Sequence, residues 1–175
     1  MLKPRPLALM LMIVAAAASR LVPHLPNMTP IAAIALFAGA SFADKRLAFL
    51  VPLMALLLSD MVLGFYSGLV FVYGSFALSV IIGLWLQKRR AAPVILGSIL
   101  ASSCLFFVIT NFGVWVMDNM YPHSLAGLVT CYVAAIPFFR NEVVGDLLYG
   151  GLLFGGFALL EMLLPVLRPP ARAAA

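Results

Sequence analysis

Charged residues are scarce in this sequence. Of its 175 residues, 10% are charged, with six acids and eleven Lys or Arg, whereas 65% are hydrophobic. The mean hydropathy is +1.13. A soluble domain of this size has too small an interior to bury so much apolar surface. The composition therefore excludes a soluble globular protein and indicates an integral membrane protein in contact with the lipid bilayer.

Motifs of soluble enzymes and of nucleotide binding are also missing. The sequence contains no GxxxxGK[ST] phosphate-binding loop, no HExxH or CxxC metal motif and no GxSxG nucleophile turn. Its net charge of +5 does not indicate a nucleic-acid surface, because the Lys and Arg residues stand in short groups between apolar runs. We therefore expect no enzyme, no nucleic-acid partner, no cofactor and no metal. Cys104 and Cys131 lie in apolar surroundings and are expected to be free thiols.

Six apolar runs account for most of the chain. They cover residues 7–22, 30–42, 47–64, 69–86, 92–116 and 143–164. We predict an all-α integral membrane protein, with six transmembrane helices in one domain (1–167) and a cytoplasmic tail (168–175). The second run is short, since a crossing takes about 20 residues. The first run also fits a signal peptide cleaved near Ala18, and the sequence leaves this alternative open.

One further helix is predicted between the fifth and sixth runs. Residues 124–139 are apolar but short, and they contain Pro137. These features favour a short helix at the membrane surface over a full crossing. The prediction is thus six spans with an interfacial helix before the last one.

Lys and Arg mark one side of the membrane. With six crossings, nine basic residues share that side: Lys3, Arg5, Lys45, Arg46, Lys88, Arg89, Arg90, Arg168 and Arg172. Because cytoplasmic loops carry an excess of Lys and Arg, we predict a protein of the inner (plasma) membrane with both termini in the cytoplasm. Arg20 and Arg140 remain for the outer side, where an Arg beside acids and aromatic rings suits ligand binding.

Polar groups able to hold a ligand are concentrated between Ile109 and Asp146. This stretch contains three of the six acids, interleaved with aromatic residues. We interpret it as the roof of a small-molecule site at the outer face. The predicted polar contacts are Asp60, Asn111, Arg140 and Asp146, and the predicted aromatic walls are Trp115, Tyr121 and Phe138.

These residues also have structural interpretations. Asp60 fits either the cap of a turn or a paired charge, because a carboxylate near the bilayer core is costly alone. Arg140 fits a ligand contact or a salt bridge to Glu142 or Asp146. Asn111 fits a tie between helices or a substrate contact, since a buried amide needs partners. The aromatic residues also fit a belt at the membrane interface.

Small residues recur four apart on several runs. Examples are Ala35 with Gly39 and Gly151 with Gly155. Such pairs let helix backbones approach closely. They predict tight contacts either inside the bundle or with a membrane partner.

Long segments resemble known membrane proteins. Similarity to a bacterial membrane-protein family of unknown function runs through NMTPIAAIALFAGASF, VPLMALLLSD, VYGSFAL, ITNFGVW, GLVTCYVAAIPFFRNEVVGDLLYG and LFGG. With its size, six spans and small-residue ridges, the chain also resembles the S-components of energy-coupling-factor (ECF) vitamin transporters. Among these are solitary members of the cobalamin type.

The second resemblance implies a function in uptake. Such a protein captures a vitamin or related small molecule outside and topples in the bilayer to release it inside. A transmembrane coupling subunit and two cytoplasmic ATPases commonly assist. In cobalamin-type members the corrinoid is held by an aspartate, a cobalt-ligating cysteine and an arginine. Asp60 and Arg140 stand in comparable places, whereas Tyr73 stands where the cysteine is expected, which departs from the pattern.

Two other functions fit the same sequence. A small multi-span scaffold of the cell envelope would use the apolar ridges and would need no outer polar cluster. An intramembrane enzyme would use Asp60 or Asp146 with His123 as acid and base. Convergence of Asp60, Arg140 and Asp146 on one cavity would distinguish a binding protein from a scaffold.

Overall fold

Seven α-helices make up the computed structural model, which describes residues 3–168. They are α1 (Pro4–Ala18), α2 (Ile31–Ser41), α3 (Lys45–Leu63), α4 (Leu69–Leu86), α5 (Ala92–Met117), α6 (Leu125–Gly150) and α7 (Gly156–Leu163). A 3-10 turn follows α1 at Ser19–Leu21, and another, Pro165–Leu167, follows α7. A π-helical turn, Gly151–Gly155, joins α6 to α7, so residues 125–163 form one continuous helix.

Five of the helical segments are long and apolar enough to cross a membrane. They are Pro4–Leu21, Lys45–Leu63, Leu69–Leu86, Ala92–Met117 and Leu125–Leu163. Large apolar side chains on their outer faces, such as Leu11, Val70 and Leu152, are more than half exposed, as expected of a surface that meets lipid. Together with α2 these segments confirm the predicted all-helical membrane bundle.

Helix α2 is a short helix in the centre of this bundle. All eleven of its residues are buried, and it contacts α1, α3, α4, α5 and α6. Its sequence, IAAIALFAGAS, is apolar or small on every side, which suits a helix surrounded by others. At 1.5 Å per residue it is about 16 Å long, roughly half of the hydrocarbon thickness of a bilayer. Pro30 to Phe42 therefore spans only part of the membrane.

Two glycines bring α2 and α4 into backbone contact. A Cβ atom on Gly39 would lie 2.2 Å from the carbonyl oxygen of Val80, and one on Gly83 would lie 2.3 Å from that of Leu36. Any larger residue would push the helices apart. The close contact predicted from the small residues at 35 and 39 is therefore found inside the bundle.

The separate surface helix predicted for residues 124–139 is wrong. Helix α6 begins at Leu125, where the Ser124 hydroxyl accepts a hydrogen bond from the Gly127 N–H, and it runs through Pro137 to Gly150. A proline removes its own N–H and so leaves one carbonyl of the preceding turn, that of Val133, without its helical donor. Membrane helices tolerate such a loss because the packed neighbours support the rest of the helix. The predicted surface helix and sixth span are one helix.

The connections alternate between two ends of the bundle. One end, here called the basic end, contains the start of α1, the loops 42–44 and 87–91, and the end of α7. It holds eight basic residues: Lys3, Arg5, Lys45, Arg46, Lys88, Arg89, Arg90 and Arg168. The remaining loops, residues 22–30, 64–68 and 118–124, lie at the opposite end. The predicted basic residue Arg172 lies outside the described residues.

Polar contacts close the basic end. Arg5 forms an ion pair with Glu161 and so ties α1 to α7. Gln87 donates to the carbonyls of Gly39 and Phe42, at 2.9 and 2.8 Å, and Arg90 donates to that of Ala40 at 2.7 Å. The last turn of α2 therefore has partners for carbonyl groups that the helix itself leaves free.

Candidate functional site

A cavity of about 550 Å³ lies at the end opposite the basic end, next to the first turn of α2. This volume falls in the range of sites for small organic molecules. The cavity, as we call it below, is lined by charged residues (Arg20, Glu142 and Asp146) and by aromatic residues (Tyr66, Phe106, Tyr121 and Phe138). Residues of the 22–30 loop complete the wall, including His24, Asn27 and Thr29.

The cavity exists because α2 starts deep in the bundle. The backbone N–H of Ala33, in the first turn of α2, donates to Asp146 at 3.3 Å. Asp146 lies 21 residues after the start of α6, so α6 extends about 30 Å beyond this level. Non-helical chain, residues 22–30, leads down to α2 and lines the space above it. Such backbone is tolerated at membrane depth where it faces a cavity.

The 22–30 loop is fixed against α6. The side-chain amide of Asn141 donates to the carbonyl of Pro26 at 3.0 Å. A Cβ atom on Gly145 would lie 3.2 Å from the backbone of Met28, so the absence of a side chain there lets the loop approach. The wall of the cavity is thus held by contacts of α6 itself.

One face of α6 supplies much of the lining. Cys131, Ala135, Phe138, Glu142 and Asp146 follow each other at steps of three or four residues, which places them on one side of a helix. Glu142 belongs to this face but is absent from the predicted site. The signal that identifies it is its spacing of four from both Phe138 and Asp146, each of which is a predicted contact.

Arg20 is the guanidinium group of the cavity. It is 9% exposed, its Nη1 donates to the Ser59 hydroxyl, and the same atom lies 2.9 Å from Asp60 Oδ1. Tyr73 donates its hydroxyl to the other oxygen of Asp60 at 3.0 Å. Within residues 3–168 the Arg20 Nε has no hydrogen-bond partner.

Asp60 therefore contacts Arg20 rather than the cavity. It is fully buried and does not line the cavity, but its charge offsets that of Arg20 and its position fixes the guanidinium group. Asp60 was interpreted either as the cap of a turn or as a paired charge, and the structure shows the paired charge. The predicted site missed Arg20, although Arg20 was one of only two basic residues assigned to the outer side.

Glu142 and Asp146 form a pair of buried carboxyl groups on the cavity wall. Asp146 is 1% exposed, and both of its oxygens accept hydrogen bonds, one from Ala33 N–H and one from the Ser103 hydroxyl at 2.7 Å. Glu142 is 5% exposed, and its Oε1 has no hydrogen-bond partner among residues 3–168. In the described part of the chain, no Lys, Arg or His nitrogen lies within 4.0 Å of either carboxyl group.

Arg140 does not reach the cavity. It is exposed, and none of the described carboxylates lies within 4.0 Å of it, so the alternative salt bridge to Glu142 or Asp146 is not formed either. Residues two apart on a helix are rotated by about 200°, so Arg140 faces away from the side that carries Glu142. The predicted convergence of Asp60, Arg140 and Asp146 is thus not found, and Arg20 stands where Arg140 was expected.

Three other predicted residues line the cavity. Asn111, Tyr121 and Phe138 come from α5, the 118–124 loop and α6. The side-chain amide of Asn111 donates to the carbonyl of Phe107 in its own helix at 2.8 Å, so it ties no second helix.

Trp115 has a different place. Its indole N–H donates to the carbonyl of Pro122 at 2.9 Å, and its ring lies edge-on to that of His123 at 5.5 Å. Trp115 does not line the cavity. It holds the 118–124 loop against the end of α5.

The two short loops at the mouth of the cavity are linked. Ser67 donates its hydroxyl to Asp118 at 2.6 Å, which joins the 64–68 loop to the 118–124 loop. Tyr66, in the first of these loops, lines the cavity. Burial, and next the charge of Asp60, raise the pKa of Tyr66 above its ordinary value, while Arg20 opposes them. Tyr66 is therefore a neutral phenol that can donate a hydrogen bond at physiological pH.

The fold and the cavity define a polytopic helical membrane protein with a ligand-sized cavity at one end. Across residues 3–168, no three His, Cys, Asp or Glu side chains come together as a metal site would require. The chain belongs to a family described as a family of unknown function (DUF6580), whose model matches residues 1–167. This agrees with the resemblance to a membrane-protein family of unknown function. Comparisons with curated proteins and with solved structures found no match.

Proposed function

We propose that this protein binds a small organic molecule in the cavity as a step in its uptake. The observation that carries this proposal is the pair of buried polar atoms beside the cavity, Nε of Arg20 and Oε1 of Glu142, which have no partner within the described residues. A buried polar group without a hydrogen bond is costly. A bound molecule that supplies partners removes that cost.

The convergence of Asp60, Arg140 and Asp146 that would have distinguished a binding protein from a scaffold is not found, but Arg20, Glu142 and Asp146 line one cavity instead. A scaffold has no need of this second arrangement. A protein that only packs against others would gain stability if α2 began nearer the membrane surface and filled the cavity with apolar side chains. Here α2 begins deep in the bundle, and polar residues line the space above it. A helix that starts at membrane depth beside a polar cavity is a recurrent feature of transporter binding sites.

The charge distribution supports an outward-facing site. Eight of the ten described Lys and Arg residues lie at the basic end, which by the positive-inside rule faces the cytoplasm. The protein then lies in the plasma membrane with its N-terminus and the end of α7 inside. The cavity opens to the opposite side, where a nutrient is captured.

The mode of uptake follows the resemblance to ECF S-components. In this proposal the protein is the substrate-binding subunit, and a transmembrane coupling subunit with ATPases supplies the energy. The sequence itself contains no phosphate-binding loop for ATP.

Aromatic side chains suggest the shape of the substrate. Tyr66, Phe106, Tyr121 and Phe138 line the cavity, and such side chains favour a flat ring by stacking or edge contacts. Tyr73 stands where cobalamin-type proteins have the cobalt-ligating cysteine. Its hydroxyl donates a hydrogen bond to Asp60. We therefore favour a vitamin-like aromatic molecule over a corrinoid.

A cavity-filling substitution tests the proposal. Ala134 lines the cavity and is exposed, so Ala134→Trp adds a large ring there without crowding a packed core. Ala126→Trp is the matched control, because Ala126 is an exposed alanine of α6 outside the cavity. The purified proteins are examined by mass spectrometry for co-purified small molecules and by calorimetry against a panel of vitamins and their precursors.

The expected result is a compound that binds the wild type and Ala126→Trp equally and binds Ala134→Trp at least tenfold more weakly, as steric exclusion from a pocket predicts. Equal binding by all three proteins would place the ligand elsewhere and refute the proposal.

A further inference from the structure

The positive charge of the cavity is already balanced. Arg20 lies 2.9 Å from Asp60, and its guanidinium group also donates to Ser59. The Nε–H of Arg20 remains free to donate a hydrogen bond within the described residues, but the guanidinium group already has Asp60 as its counter-ion. His24, also in the lining, is exposed, and its Nδ1 contacts the carbonyl of Val22 at 2.7 Å. No further Lys or Arg of the described chain lines the cavity.

The two carboxyl groups on the cavity wall have no cation beside them in the described residues. Asp146 accepts hydrogen bonds with both oxygens and lies at the N-terminus of α2, where the helix dipole is positive. Glu142 lies on the same face of α6 as Asp146, yet the described residues supply neither a hydrogen-bond partner for its Oε1 nor a cation within 4.0 Å. Glu142 is therefore the carboxyl group on the cavity wall to which a ligand can supply the missing hydrogen-bond donor.

We infer that the molecule held in the cavity carries a positively charged nitrogen and that Glu142 binds this nitrogen. The ligand class is an organic ammonium or a protonated nitrogen ring attached to a flat aromatic body. Tyr66, Tyr121 and Phe138 suit the same ligand, because the faces of aromatic rings attract cations. This inference rests on the proposed function, since it assigns a charge to the ligand of that site.

Three indole compounds of similar size test the charge. Tryptamine carries an ammonium group, tryptophol carries a hydroxyl group in its place, and indole-3-acetate carries a carboxylate. Their affinities are measured by calorimetry on the wild type, Glu142→Gln, Glu142→Asp and Asp118→Asn. Asp118 is a matched control, since it is an acid at the same end of the molecule that does not line the cavity.

We expect the wild type to bind tryptamine at least tenfold more tightly than tryptophol and indole-3-acetate, the size expected of a charge-assisted hydrogen bond. Glu142→Gln should lose that preference, so that the ratio of its affinities for tryptamine and tryptophol falls to about one. Glu142→Asp and Asp118→Asn should retain the preference. Because the preference is a ratio measured within one protein sample, a smaller folded fraction does not alter it.

Three results would overturn the inference: no binding of tryptamine by the wild type, equal affinity for tryptamine and tryptophol, or a full preference in Glu142→Gln. The proposed function has a separate criterion. A neutral or acidic compound that binds the wild type but not Ala134→Trp would leave the proposed function standing and refute the charge assignment alone.

Discussion

Arg20, just after the first helix, lies 2.9 Å from Asp60 of α3, and both side chains are buried. The contact joins two helices at the depth of the cavity. It also sets the position of the guanidinium group that faces the proposed ligand. Removal of either partner leaves the other as a buried, uncompensated charge.

We predict that Asp60→Ala destabilises the protein by about 3–5 kcal/mol, the usual cost of breaking a buried ion pair. Thermal unfolding of the purified protein in detergent measures the change. Arg140→Ala is the control, because Arg140 is exposed and forms no salt bridge with a described residue. The double variant Arg20→Ala with Asp60→Ala should be less destabilised than the sum of the single variants. A melting temperature that falls equally for Asp60→Ala and Arg140→Ala would contradict the assignment.

The contact between α2 and α4 gives a second prediction. Gly83→Ala places a Cβ atom 2.3 Å from the carbonyl oxygen of Leu36 and must separate the two helices. We expect a loss of about 1–3 kcal/mol, as for other overpacked interiors. Gly74→Ala in the same helix meets nothing within 4 Å and should be neutral or slightly stabilising. Chemical denaturation of both variants compares them, and equal stability would argue against backbone contact at Gly83.

The third prediction concerns alkaline pH. The pKa of Tyr66 is raised above its ordinary value of 10.0 in the folded protein, first by burial and then by Asp60. The folded state therefore holds the phenolic proton more tightly than the unfolded state. Stability from this residue is complete below pH 10 and is lost as the pH rises from there through the folded-state pKa.

Tyr66→Phe removes this titrating group. We expect wild type and variant to lose stability in parallel up to about pH 9 and the wild type to lose more above pH 10. Melting temperatures between pH 7 and pH 11 measure the difference. Parallel curves over the whole range would show that Tyr66 titrates alike in both states.

The bundle itself was predictable because its signals are local. Apolar runs of about 20 residues predict spans, and grouped Lys and Arg predict which loops share an end. Pro137 misled the prediction, since the sequence does not show the neighbours that support a helix through a proline. Helix α6 was consequently divided at a position where the structure is continuous.

The candidate site was predictable in part. Asn111, Tyr121, Phe138 and Asp146 line the cavity, as the concentration of polar and aromatic residues suggested. Arg20 lines the cavity and Arg140 does not, because the rotational position of a residue on its helix decides which way it faces. That position follows from the face already marked by Phe138 and Asp146, which includes Glu142 and excludes Arg140.

The short central helix has a mechanical consequence for any solute above it. Below the cavity lie only about 16 Å of helix, so a bound molecule has about half of the apolar barrier left to pass. This lower half is tightly joined, with Gly39 against the backbone of α4 and with Gln87 and Arg90 bonded to the last turn of α2. Under the proposed uptake function, we therefore expect inward release by reorientation of the whole bundle in the bilayer, because α2 is held by contacts along its length.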